Sequence, residues 1–115
     1  MSGLFAPATV CKIEVIVGAV KADLEHDLDE LRRRIDDIDS QILELVAARV
    51  RVVLEVGDHK RRHGLPVYDP ERERRLLERL CDNPPPPLDQ DTVRRVFERL
   101  VDEARRIEQH HVGRR

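Results

Sequence analysis

The sequence predicts an all-α fold of three helices, one of them very long, and three observations support this prediction. Charged residues make up 38% of the 115-residue chain and aromatic residues 3%, whereas an average soluble domain holds about 25% charged residues. Apolar residues recur at alternating spacings of four and three, which places them on one face of a helix. Proline and glycine interrupt this pattern within residues 64–70 and 83–87, so we expect three helices in one domain.

Helix 1 is predicted to begin within residues 23–27 and to run to about His63, where Gly64 and Pro66 stop it. Gly57 lies inside the helix and costs about 1 kcal/mol relative to Ala, but the apolar pattern continues on both sides of it. At ~1.5 Å per residue the helix is roughly 55–60 Å long, which is longer than a compact globule of this chain length. Its apolar face, here called the seam, consists of Leu24, Leu28, Leu31, Ile35, Ile38, Ile42, Leu45, Val52 and Val56.

Residues 1–22 are expected to form an N-terminal extension of uncertain or disordered structure, ahead of a helical domain at residues 23–111. Val10–Val20 alternates weakly like a strand, but the sequence offers it no partner strand. Lys12 and Glu14 interrupt what would have to be the hydrophobic region of a signal peptide. No stretch approaches the ~20 apolar residues of a membrane span.

Charge and cysteine usage argue against several function classes. The 21 basic and 23 acidic residues are interspersed and leave a net charge of −2, so neither a nucleic acid nor a membrane surface is expected as a partner. Cys11 and Cys81 lack metal-ligand spacing, which favours a reduced, cytoplasmic chain. His59 and His63 have helical i, i+4 spacing, but the sequence places no third ligand nearby, so we expect solvated histidines and no metal site.

Helix 2 is predicted to begin at Asp69-Pro70-Glu71, after a short linker at Leu65–Tyr68. Aspartate is a favoured N-cap, proline is favoured at the first helical position, and an acidic residue in the first turn complements the helix dipole. The helix then continues to about Asp82, with apolar residues at Leu76, Leu77 and Leu80.

Helix 3 follows a rigid, extended connector made of Asn83 and four prolines. We expect it to start near Asp89 or Asp91 and to fray into Gln109–Arg115, with His110-His111 in the frayed tail. Its apolar stripe consists of Val93, Phe97, Leu100, Ala104 and Ile107.

These three helices cannot close a core alone. The far half of helix 1 would leave its Leu and Ile side chains in water, a larger apolar patch than monomers tolerate. A two-fold homodimer with intertwined long helices would bury both halves of the seam. The sequence therefore predicts this dimer.

Arg49 occupies the one seam position, between Leu45 and Val52, where the spacing requires an apolar residue. A guanidinium does not lose its charge in proteins, so a buried one must meet an anion. Two interpretations follow: Arg49 belongs to a structural ion pair, or a pocket for an anionic ligand opens in the core.

Four further charged residues extend apolar faces. Lys60 follows Arg49 by 11 residues, or about three turns, and so projects from nearly the same side of helix 1. Arg72 and Glu73 lie four residues before the leucines of helix 2, and Glu108 lies four residues after Ala104. If these side chains converge, a pocket with two Arg and one Lys suits a small dicarboxylate, because guanidinium groups bind carboxylates in a bidentate manner.

Several segments with fixed spacings carry a resemblance to a known family. They are Leu31-Arg32 through Ile38-Asp39, Leu45 to Arg49, Glu55-Val56-Gly57, Lys60 and the run Pro66-Val67-Tyr68-Asp69-Pro70-Glu71-Arg72-Glu73. Over about residues 24–109 the chain resembles the all-helical, AroQ-class (type II) chorismate mutases. The match requires five charged residues at fixed separations and no gap before helix 2.

The resemblance implies the conversion of chorismate to prephenate by a Claisen rearrangement that uses no cofactor. It implies that Arg32, Arg49 and Arg72 hold the two carboxylates of the substrate. Ala104 departs from the family pattern, since some relatives have a serine there that contacts a carboxylate. One hydrogen bond, worth about 0.5–1.5 kcal/mol, is then missing.

The resemblance also implies roles at the reacting bond and the ring. Lys60 donates to the ether oxygen of the breaking bond, and Glu108 stands where the family places a Gln or Glu facing the same atom. Asp69, through its backbone, and Glu73 address the ring hydroxyl.

Arg32 is expected to enter the pocket of the other protomer. It lies 17 residues from Arg49, which is ~25 Å along one straight helix and too far for a ligand of this size to span. An antiparallel dimer would bring Arg32 across.

Other functions fit the same pattern. An isochorismate pyruvate lyase or an aminodeoxychorismate mutase would use the same carboxylate contacts on the same fold. A non-catalytic helical dimerisation or regulatory domain would instead hold Arg49–Glu108 and Lys60–Glu73 as buried ion pairs.

Overall fold

Three α-helices make up the fold. The structure is a computed structural model that describes residues 5–113, with side chains over residues 13–112. Helix α1 spans Phe5–Arg62, α2 spans Pro70–Asp82 and α3 spans Gln90–Gly113, and the described residues contain no strand. The all-α prediction with three helices, one of them very long, is confirmed. The chain divides into two compact units, Met1–Leu43 and Glu44–Arg115.

The predicted start of helix 1 was wrong, because α1 begins at Phe5 rather than within residues 23–27. The weak alternation of Val10–Val20 that suggested a strand is also compatible with a helix. Ile13, Val17 and Val20 continue the four-and-three spacing of the seam toward the N-terminus. The boundary between an extension and the helical domain at residue 22 stays a prediction.

In the unit Met1–Leu43, the described residues form the N-terminal part of α1 and expose their apolar face. The seam side chains retain between 45% and 63% of their accessible surface. These side chains are Leu24, Leu28, Leu31, Ile35, Ile38 and Ile42. A continuous apolar face of this kind is unusual on a monomeric protein.

In the unit Glu44–Arg115, α2 packs against α3. Cys81 of α2 is buried together with Val93 and Ala104 of α3, and the Cys81 thiol lies 3.7 Å from the carbonyl oxygen of Gln90. Two of the five positions predicted for the apolar stripe of helix 3 are therefore buried, and the other three are half-buried.

The chain leaves α1 through a helix-ending motif at Gly64, which has a φ of 67°. The Leu65 amide donates to the Lys60 carbonyl at 2.8 Å, and the Gly64 amide donates to the Arg61 carbonyl at 3.3 Å. This pair of bonds is the Schellman motif, which requires the left-handed conformation that glycine adopts without strain. The predicted end of helix 1 is thereby confirmed to within one residue.

Aspartates begin the two shorter helices. The Asp69 carboxylate accepts from the Arg72 amide at 3.0 Å, with Pro70 at the first position of α2, and the Asp89 carboxylate accepts from the Thr92 amide at 2.7 Å. The latter bond lowers the pKa of Asp89. Both predicted helix starts are confirmed.

No helix among the described residues is long and apolar enough to cross a bilayer.

Candidate functional site

A cavity of about 1030 Å³ opens in the unit Glu44–Arg115, between the C-terminal part of α1, the connection to α2, and both shorter helices. Aliphatic side chains from α1, α2 and α3 form its walls, among them Val52, Val56, Leu76 and Val101. Six cationic and three acidic residues also line it, so the formal charge of the lining is positive. The charged residues are Arg49, Lys60, Arg61, Arg72, Arg79, Arg105, Asp69, Glu73 and Glu108.

The cavity brings together six of the seven predicted site residues. These are Arg49, Lys60, Asp69, Arg72, Glu73 and Glu108. The seventh, Arg32, is not among the lining residues. It lies on α1 in the unit Met1–Leu43, where its exposed guanidinium is 3.6 Å from the Asp29 carboxylate. What each of the seven does toward a ligand stays a prediction.

Within the described part of the chain, the guanidinium groups of Arg49 and Arg72 have no acidic partner. No carboxylate oxygen of these residues lies within the 4.0 Å limit of an ion pair from either group. Arg49 is half-buried rather than fully buried, because it borders the cavity. The ammonium of Lys60 donates to the Val67 carbonyl at 3.4 Å. These cations are therefore available to an anionic ligand.

The ion pairs that a non-catalytic dimer would need are not formed within the described chain. Neither Arg49–Glu108 nor Lys60–Glu73 is within ion-pair distance in the part of the chain that the structure describes. Glu108 and Glu73 instead meet two arginines that the sequence analysis did not single out, Arg61 and Arg105.

Glu73, in the first turn of α2, is held by Arg105 of α3. Its Oε1 atom accepts a hydrogen bond from Nη2 of Arg105 at 2.5 Å, and this bond raises the pKa of the Arg105 guanidinium. The guanidinium carbon also lies 4.9 Å from the centroid of the Tyr68 ring, which is a cation–π distance. Arg105 thus contacts both the start of α2 and the connection that precedes it.

Glu108 of α3 lies against the C-terminal part of α1. Only 13% of its side chain is exposed, and Oε1 is 3.5 Å from Nη1 of Arg61. Nη2 of Arg61 in turn is 2.7 Å from the Asp58 carboxylate. A Cβ atom at Gly57 would overlap Oε1 of Glu108, so the carboxylate occupies the space that a side chain at residue 57 would fill.

Sequence reasoning missed Arg61, Arg105 and the contact at Gly57. Arg105 lies three residues before Glu108 and therefore on the same side of α3, which is a signal that could have identified it. The prediction that His111 belongs to a frayed tail was wrong, because α3 continues to Gly113 and Nε2 of His111 lies 3.5 Å from the Asp58 carboxylate. The last turns of α3 remain helical because they still contact α1, as the His111–Asp58 pair shows.

The described residues contain no group of three or more His, Cys, Asp or Glu side chains placed to hold a metal ion. His59 and His63 pack their rings at 4.4 Å between centroids, and both are exposed, as predicted. The polar groups of the cavity are mainly hydrogen-bond donors with positive charge, which suits a ligand with carboxylates.

Known proteins are similar to this chain in sequence and in fold. A family model described as chorismate mutase type II matches residues 31–109. The chorismate mutase of Methanocaldococcus jannaschii is 31% identical over 88 residues, which cover 74% of this chain and 87% of that protein. The T-protein of Enterobacter agglomerans is 44% identical over 76 residues, but the matched part spans only 20% of its length. The structure of chorismate mutase (form II) from Thermus thermophilus matches with a TM-score of 0.68 and 33% identity, over 71% of this chain and 93% of that one. The chain therefore belongs to the chorismate mutase type II family.

Proposed function

We propose that this chain is a chorismate mutase, which converts chorismate to prephenate by a Claisen rearrangement without a cofactor. The observation that supports the proposal most strongly is the state of Arg49 and Arg72. Both line the cavity, and neither guanidinium has a carboxylate within 4.0 Å among the described residues. Two such cations in one cavity are matched by the two carboxylates of chorismate.

The chemistry requires positioning rather than a nucleophile or a base. This Claisen rearrangement forms one carbon–carbon bond and breaks one carbon–oxygen bond within a single molecule. The enzyme gains rate by holding the compact conformer in which the reacting ends meet, and the aliphatic walls at Val52, Val56 and Leu76 would confine that conformer.

Lys60 and Glu108 are the proposed catalytic residues at the ether oxygen. Negative charge builds on this oxygen as its bond to carbon breaks, and a donor aimed at it stabilises the transition state more than the ground state. The ammonium of Lys60 is half-buried at the cavity and makes one weak hydrogen bond, to Val67, so a ligand can compete for it. Glu108 donates only in its protonated form.

Asp69 and Glu73 are the proposed contacts for the ring hydroxyl. The side chain of Asp69 is engaged as the N-cap of α2, so its backbone is the part that remains for a ligand. Glu73 keeps one oxygen, Oε2, without a hydrogen-bond partner among the described residues.

An intertwined antiparallel homodimer would complete the site with Arg32 of the second protomer. The exposed seam of α1 supports this part of the proposal, because six large apolar side chains between Leu24 and Ile42 keep 45% or more of their surface in an isolated protomer. A second copy of the same face would cover them and carry Arg32 to the partner's cavity.

The deciding experiment is to incubate the pure protein separately with chorismate, isochorismate and aminodeoxychorismate and to identify the products. Prephenate from chorismate supports the proposal. Pyruvate and salicylate from isochorismate alone would indicate the lyase, and turnover of aminodeoxychorismate alone would indicate the amino-substituted mutase. Turnover of none of the three would support the non-catalytic dimer.

A further inference from the structure

Arg105 of α3 contacts three different segments of the chain. Its Nη2 atom donates to Glu73 of α2 at 2.5 Å, its Nη1 atom lies 3.7 Å from Asp102 of its own helix, and its guanidinium stacks on the Tyr68 ring at 4.9 Å. The neighbouring Arg106 differs, since its partner is Glu103, three residues earlier on the same helix, at 2.9 Å.

The contact with Arg105 distinguishes the two oxygens of Glu73. Oε1 accepts this hydrogen bond, whereas Oε2 accepts none in the described part of the chain. A charge-assisted hydrogen bond to one oxygen restricts the orientation of the carboxylate and so limits the directions in which Oε2 can point. The Tyr68 contact adds a second constraint, because it ties the same guanidinium to the residue next to Asp69.

We propose that Arg105 is a positioning residue for the subsite that binds the ring hydroxyl of the substrate. It acts through Glu73: the guanidinium holds Oε1 and presents Oε2 as the acceptor for the hydroxyl proton. This inference rests on the proposed function, since it assigns the ring hydroxyl of chorismate to Glu73.

The charge of Arg105 is engaged by acidic side chains of the protein itself. Arg105 shares its charge with Glu73 and Asp102, whereas Arg49 and Arg72 have no acidic partner among the residues that the structure describes. Arg49 and Arg72 are therefore free to bind the carboxylates of the substrate, whereas Arg105 orients a carboxylate of the protein.

The test compares Arg105→Met with the matched control Arg106→Met. Both changes remove a guanidinium from the same helix and keep an unbranched side chain, but only the first removes the contact with Glu73. We expect Arg105→Met to lower kcat/KM for chorismate by about tenfold, the usual effect of losing one charged hydrogen bond. Arg106→Met should leave kcat/KM unchanged.

Two further measurements separate positioning from a general structural effect. In a Glu73→Ala background, Arg105→Met should cause no additional loss, because its target is absent; equal losses in both backgrounds would overturn the inference. Inhibition by a chorismate analogue that lacks the ring hydroxyl should be the same for the Arg105→Met variant and the wild type. An equal loss of affinity for analogues with and without the hydroxyl would show instead that Arg105 contacts the carboxylates.

Failure of this inference is distinguishable from failure of the proposed function. If the wild-type protein converts chorismate and the Arg105→Met and Arg106→Met variants are equally active, only the role of Arg105 is wrong. If the wild-type protein does not convert chorismate, the proposed function itself is wrong.

Discussion

Glu108 lies so close to Gly57 that a methyl group at residue 57 would overlap its Oε1 atom. The same methyl group would lie 3.3 Å from Nη2 of Arg61. A glycine inside a helix destabilises the helix by about 1 kcal/mol relative to alanine. At residue 57 the absence of a side chain leaves room for the Glu108 carboxylate. The Glu108 carboxylate, which is proposed to act on the ether oxygen, therefore packs against α1 at Gly57.

Gly57→Ala should therefore reduce activity without reducing stability. The clash falls on the far end of a flexible side chain, so Glu108 can turn away while the helices stay in place. Alanine also favours the helix by about 1 kcal/mol. We expect kcat/KM for chorismate to fall on the order of tenfold, because displacement of a catalytic group by about 1 Å has effects of this size or larger. An unchanged kcat/KM together with a raised Tm would show that the position of Glu108 does not matter.

Glu108→Gln should keep the activity that Glu108→Ala loses. The proposed role of Glu108 is a hydrogen bond to the ether oxygen, and glutamine has nearly the same shape and a permanent amide donor. Alanine removes the group altogether, so kcat/KM for chorismate should fall roughly a hundredfold, the usual cost of losing one donor at a site of developing charge. Steady-state kinetics of the two variants measure the difference. Equal kcat/KM for the wild type and both variants would remove Glu108 from the mechanism.

Arg49→Leu should give a protein at least as stable as the wild type but nearly inactive. Leucine completes the seam, and removal of a half-buried cation strands no carboxylate, since none lies within 4.0 Å of Arg49 among the described residues. Urea denaturation without ligand measures the free energy of unfolding. A loss of several kcal/mol would instead identify Arg49 as part of a structural ion pair.

The same substitution at two other glycines should have opposite effects on stability. Gly64→Ala forces alanine into a φ of 67° and should destabilise the protein by about 1 kcal/mol. Gly18 lies within α1 with open space around it, so Gly18→Ala should stabilise the helix by a similar amount, roughly 0.5–1 kcal/mol. Thermal unfolding of both variants checks the signs. Stabilisation by Gly64→Ala would contradict the helix-ending motif described above.

The features that the sequence predicted are those that depend on local chemistry or on helical periodicity. The caps at Asp69 and Asp89 follow from backbone donors at helix starts, and the shared face of Arg49 and Lys60 on α1 follows from 3.6-residue spacing. The pairing of Glu73 with Arg105 could not be predicted, because it depends on how α2 packs against α3. The start of α1 at Phe5 was missed because a short apolar stretch fits a strand and a helix alike. The cytoplasmic location and the dimer stay predictions.

Arg32 provides the sharpest test of the dimer, because its guanidinium is exposed and its ion pair is local, 3.6 Å from Asp29. If Arg32 completes the partner's cavity, the Arg32→Ala and Arg49→Ala variants should each be nearly inactive alone. Mixing them with subunit exchange forms heterodimers with one intact site and one doubly altered site. Random exchange should restore about a quarter of the wild-type activity, since half of the dimers carry one working site of two. Arg33→Ala is the matched control, because Arg33 forms the same kind of local pair, 3.0 Å from Glu30, and its loss should leave activity unchanged. If activity does not recover after verified exchange, Arg32 does not cross to the partner, and the antiparallel arrangement is wrong.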